Sequence, residues 1–119
     1  MIQPEKLSRA ATSAIRRARA SRGIAMADIS LWELAQIFSR GSIRTAGTVE
    51  NSIADLITDS GVLVRHITPE IAALATQFPE SYSRDPADRV IGATARAEGI
   101  ALVTKDERMQ SCPLLTTIW

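Results

Sequence analysis

Arg84-Asp85-Pro86-Ala87-Asp88-Arg89-Val90-Ile91-Gly92-Ala93-Thr94-Ala95, with Leu102-Val103-Thr104-Lys105-Asp106 shortly after it, decides how this chain folds. Asp85 followed by Pro86 is a helix start. A short carboxylate accepts hydrogen bonds from first-turn amides, and proline at the first helical position gives up only an amide that has no partner there. The helix predicted from Ala87 runs to Glu98 and ends at Gly99, after which Ala101 to Thr104 reads as a short apolar strand. Asp88 therefore falls in the first turn of a helix and Asp106 just past a strand. In open α/β sheets strand C-termini and helix N-termini share the edge along which ligands bind, so both carboxylates are expected there. Hard oxygen donors of this kind suit Mg²⁺ or Mn²⁺.

Working outward, Leu7, Ala10, Ala11, Ala14, Ile15 and Ala18 recur at helical spacing, which predicts an amphipathic helix from Glu5 to about Arg19 that Gly23 ends. Its other face carries Arg9, Arg16, Arg17 and Arg19, with Arg22 just beyond; these read either as a solvated face or as a local nucleic-acid contact. Ile24 to Ala27 is a short apolar run that suits a buried strand. Asp28 or Ser30 is expected to cap the next helix, Leu31 to Phe38, which carries Glu33. A helix over Thr48–Ser60 and a β-branched strand over Val62–Ile67 follow, and Thr68-Pro69 opens another helix that Pro79 stops. Glu80 to Arg84 is a polar connection, Lys105 to Gln110 a short helix, and Leu114 to Trp119 a terminal strand. Strands alternating with helices of this length predict an α/β fold with a parallel sheet covered by helices on both faces.

The 119 residues predict one domain, and 45% apolar with 23% charged residues is a globular composition that excludes disorder. The single cysteine, Cys112, excludes an internal disulfide and a cysteine-based zinc site, which points to a reducing cytoplasm. No apolar run approaches the roughly twenty residues of a membrane span, so no membrane partner is expected. The net charge of +1 supplies no global footprint for nucleic acid, which leaves any such contact to local clusters.

Ser30-Leu31-Trp32-Glu33-Leu34-Ala35, the run Leu63 to Ala72, Asp85 to Ile91 and Leu102 to Asp106 occur in an order and at spacings that resemble a PIN-domain ribonuclease of the VapC toxin type, from about Pro4 to Trp119. What the resemblance implies is a PIN-like three-layer α/β fold and a Mg²⁺-dependent endoribonuclease, with Mn²⁺ as the other candidate ion. It further implies an RNA substrate, a cognate antitoxin that blocks the site, and a homodimer. Three of the four family acids fall on Glu33, Asp88 and Asp106, the expected catalytic and metal-binding residues. Such proteins normally begin with a central apolar strand ending in an aspartate, and this sequence offers no counterpart before Glu5. The expectation is a single PIN-like domain over 1–119, truncated at its N-terminus relative to the family. A second function then stands beside the first: a catalytically impaired module that binds antitoxin or dimerises.

Each residue also has a plainer reading. Glu33 reads as a solvated helical glutamate, Asp88 as a charge favourable at a helix N-terminus, and Asp106 as a turn or cap residue. Asp85 is first of all the cap before Pro86. Arg84 and Arg89 flank the proposed cleft, where a guanidinium offers a bidentate fork to phosphate, with ion pairs to nearby aspartates as the alternative. Thr104 is placed to support a neighbouring carboxylate or water. His66 is expected to be structural, and Trp32, Phe38, Phe78 and Trp119 to lie in the core or an interface.

Overall fold

A computed structural model describes residues 8–21, 23–41 and 47–119. In chain order it holds α1 (Arg9–Ala20), β1 (Ala25–Ala27), α2 (Ile29–Ser39), α3 (Val49–Ser60), β2 (Leu63–Arg65), α4 (Pro69–Ala75), α5 (Pro86–Glu98), β3 (Leu102–Val103), α6 (Glu107–Gln110) and β4 (Thr117–Ile118). The expected beginning of the first helix at Glu5, and Arg22, lie outside the described residues.

The helix boundaries follow from local chemistry. Ser8, Thr48 and Thr68 each accept from the amide three residues on, and Asp85 accepts from the Ala87 amide at 2.9 Å. Gly61 and Gly99 close α3 and α5 in the left-handed region, at φ 67° and 64°, where a side chain would be strained. The expected cap of α2 is a correction. Asp28 itself has helical backbone angles and makes no side-chain bond to α2, so its carboxylate swings to the neighbouring strand connection. There Oδ2 accepts from the Ile67 amide at 3.1 Å and lies 3.7 Å from His66 Nδ1, tying the end of β1 to the end of β2. His66 is a surface residue just past the strand, with 83% of its side chain exposed.

The strands are parallel, as expected, but they form two two-stranded pairs, β1 with β2 and β3 with β4. The first pair is bounded by Leu63 N–H to Ile24 C=O (2.8 Å) and Asp28 N–H to Arg65 C=O (3.0 Å), the second by Leu102 N–H to Thr116 C=O (2.8 Å) and Thr104 N–H to Ile118 C=O (3.1 Å). Because strand backbone groups alternate in direction, those of Ala25, Ala27 and Val103 face the opposite edges. Among the described residues no strand pairs with either edge, so the single sheet is present as two halves. Two-stranded sheets are marginal alone and depend on the helices laid against them. Helices α2 and α5 pack on β1, and α1 and α6 pack on β4.

Helices α4 and α5 form the most extensive helix pair. Arg89 Nη1 donates to the Ala75 carbonyl at 3.3 Å and Arg96 Nη1 to the Gln77 carbonyl at 2.9 Å, so cations of α5 satisfy carbonyls at and just beyond the C-terminus of α4. The Arg96 guanidinium also lies 5.0 Å over the Phe78 ring. Tyr82, Met109 and Cys112 are buried together, and Phe78, Ile91, Leu102 and Leu115 pack around them. Cys112 is thus a core residue. Phe38 is buried in the core, and Trp32 is 61% exposed, outside it.

Candidate acidic site

Asp88 is held through both its carboxylate and its main chain. The connection from Thr76 to Asp85 turns back on itself through Tyr82 N–H to Pro79 C=O at 3.0 Å, which presents two side chains to the first turn of α5. Ser83, fully buried, donates from Oγ to Asp88 Oδ2 at 2.6 Å and accepts from the Asp85 amide at 3.2 Å. Tyr82, 2% exposed, donates from its hydroxyl to the Asp88 main-chain carbonyl at 2.8 Å. Its ring stacks on Phe78 with centroids 4.1 Å apart and planes 16° from parallel. Burial pushes the Tyr82 hydroxyl well above its ordinary pKa, and the negative charges of Asp88 and then Asp106 act in the same direction. Tyr82 therefore lies within electrostatic reach of both aspartates.

Glu33 projects from α2. Its carboxyl is raised above the ordinary value first by burial, then by the negative charges of Asp88 and Asp85. Among the described residues none of these three acids forms an ion pair with a cationic side chain. Glu33, Asp85 and Asp88 thus form a zone of like charge in which a bound cation would relieve repulsion, and their oxygen donors suit Mg²⁺ or Mn²⁺.

Asp106 stands differently. It is the N-cap of α6, its Oδ1 accepting from the amides of Arg108 (2.9 Å) and Met109 (3.1 Å) while Oδ2 meets Arg108 Nη2 at 3.4 Å. These bonds, the Met109 amide foremost, hold its carboxyl below the usual range. Among the described residues no three acidic, histidine or cysteine side chains are gathered as a metal cage. Glu33 and Asp88 are brought within each other's field, and Asp106 remains committed to its own helix.

The neighbours differ from their sequence reading as well. Thr104 Oγ1 accepts from the Asp106 amide at 3.1 Å and approaches Met109 Sδ at 3.7 Å, so it shapes the backbone of the turn and leaves the Asp106 carboxylate untouched. Arg89 is turned to α4, as described above, instead of standing free at the cleft. Asp85 is the α5 cap and also contributes charge at Glu33. Sequence reasoning passed over Ser83 and Tyr82, whose only signal is a hydroxyl pair a few residues before Asp88. It also took Asp28 solely as a cap, although its Oδ1 is buried with no hydrogen-bond partner among the described residues.

Comparison with known proteins identifies the family. The sequence matches the family described as PIN domain over residues 1–113. It is 40% identical over 119 residues to Ribonuclease VapC22 of Mycobacterium tuberculosis (strain ATCC 25618 / H37Rv), covering 98% of this chain and 88% of that protein. With an α/β fold of short parallel strands and acids beside the first turn of α5, this chain belongs to the PIN-domain family.

Proposed function

We propose that this chain is a metal-dependent endoribonuclease of the VapC toxin type, which cleaves RNA phosphodiester bonds until a cognate antitoxin blocks the site. The observation that carries the reading is the unneutralised zone around Glu33 and Asp88, in a PIN-domain chain similar to a named ribonuclease. Glu33 and Asp88 would hold Mg²⁺ or Mn²⁺, and Asp106 would join them by releasing Oδ2 from Arg108, an exposed pair of little energetic weight. When bound, the ion supplies positive charge beside the scissile phosphate.

The chain's own groups do the rest. Glu33 and Asp88, ionised, would orient the attacking water on the side of the bound ion. Arg9, Arg16, Arg17 and Arg19 lie on the exposed side of α1 and form no ion pair among the described residues, which suits an RNA backbone. A cytoplasmic location, from the single cysteine Cys112, and a homodimer, by family resemblance, complete the reading. Cleavage of RNA by the purified chain in Mg²⁺ or Mn²⁺, abolished by EDTA, is the expected result; a folded chain that cleaves nothing in either metal refutes it.

A second reading draws on the divided sheet and the commitment of Asp106 to its helix: a catalytically impaired PIN-like protein that binds antitoxin or dimerises. It predicts antitoxin binding without metal-dependent cleavage, whereas the enzyme shows both.

A further inference from the structure

Asp88 is gripped at two points by residues to which the reaction assigns no part. Ser83 Oγ is a buried hydroxyl whose proton goes to Asp88 Oδ2 and whose lone pair is taken by the Asp85 amide. A hydroxyl held on both sides cannot rotate away, so it fixes which carboxylate oxygen is engaged. Tyr82 does the same for the main chain of Asp88 through its carbonyl. Its ring is clamped between Phe78 and Gly92, where an added Cβ would overlap the Tyr82 hydroxyl and press on Phe78. Asp88 Oδ1, by contrast, accepts no hydrogen bond from the described residues and is not a buried orphan, so it is free for a ligand.

We propose that Ser83 and Tyr82 are positioning residues for Asp88: Ser83 occupies Oδ2 and leaves Oδ1 for a divalent cation, while Tyr82 fixes the turn from which the carboxylate projects. The proposal rests on the reading of Asp88 as a metal-binding residue. Ligands oriented by such outer hydrogen bonds typically lose about 10- to 100-fold in metal affinity when the support is removed.

The test is Mn²⁺ binding by the full chain, followed by the electron paramagnetic resonance of the free ion, with folding checked by thermal melting in EDTA. Ser83→Ala is expected to weaken Mn²⁺ binding about 10-fold, and Tyr82→Phe, which keeps the ring stack, to weaken it several-fold. Thr94→Val is the control, because Thr94 also loses a buried hydroxyl bond within α5 (to the Val90 carbonyl, 2.7 Å) but makes no hydrogen bond to an acid among the described residues. It is expected to leave Mn²⁺ affinity unchanged. Should Ser83→Ala fail to fold, Ser83→Cys, a smaller perturbation with a weak donor, is expected to lose several-fold.

Wild-type affinity in the folded Ser83 variants, or an equal loss in Thr94→Val, overturns the positioning role and leaves the metal reading standing. Wild-type protein that binds no Mn²⁺ overturns both.

Discussion

On the proposed function, Glu33 sets stability against metal binding. Its folded pKa is raised, so ionisation costs stability: the fold is favoured while Glu33 is protonated and loses that advantage as pH rises from below the ordinary value of 4.5 through the raised one. Glu33→Gln is therefore expected to melt above wild type at pH 7, with the difference vanishing below the ordinary value of 4.5. Mg²⁺ is expected to raise the melting temperature of wild type and to raise that of Glu33→Gln less. A variant that melts lower at pH 7 contradicts the account. Asp106 has the opposite sign. Its lowered pKa contributes stability above the ordinary 3.8 that is lost as pH falls through the depressed value. Because asparagine caps helices nearly as well as aspartate, Asp106→Asn is expected to stay within about 0.5 kcal/mol of wild type yet lose cleavage, while Asp106→Ala loses both cleavage and about 1 kcal/mol. Urea unfolding of the two variants separates cap from ligand.

At the scale of elements, α5 depends on its entry. Asp85 and Pro86 start it, Tyr82 and Ser83 brace its first turn, and Gly92 one turn later makes room for the Tyr82 hydroxyl. Gly92→Ala is expected to destabilise by about 1–3 kcal/mol through overpacking, despite alanine's better helix propensity, as measured by chemical denaturation. A stabilised variant would show that the Tyr82 clamp yields freely. These elements also mark what the sequence could tell. Helices α3, α4 and α5 were legible because Thr48, Thr68-Pro69, Asp85-Pro86, Gly61 and Gly99 act locally, within a few residues of the groups they satisfy. Asp28 was misread because its bond to Ile67 joins positions far apart in sequence. Ser83 and Tyr82 escaped notice because a loop hydroxyl acquires its role only once the turn at Pro79 folds it back. Arg89 offered the same chemistry to phosphate or to a helix terminus, and only the packing of α4 on α5 decided between them.

Across the whole molecule, one basic cluster stands apart from the acids. The exposed arginines of α1 lie in the first part of the chain, while Asp85, Asp88 and Asp106 follow in the second. If α1 carries the RNA backbone, exchanging Arg16, Arg17 and Arg19 for glutamine is expected to weaken RNA binding and flatten its logarithmic salt dependence by about 2, three released contacts at about 0.7 each for single strands. An unchanged salt slope would return these arginines to a solvated face. The divided sheet sets the other whole-molecule feature. Both halves lean on helices, and α5 serves the β1 half directly while its Ile91 shares the core with Leu102 of β3. The acids are held by helix starts and loops more than by a continuous sheet, which is why Asp88 owes its placement to Ser83 and Tyr82.

On the proposed function, the acids around Asp88 drive RNA cleavage with a divalent ion. The measurement that tests it most directly is RNA cleavage by the purified chain in Mg²⁺ or Mn²⁺, beside an EDTA control and the Asp88→Asn variant. Cleavage by wild type that disappears in both controls is the predicted result. A well-folded chain that cleaves no RNA, or one whose cleavage survives EDTA or Asp88→Asn, contradicts it.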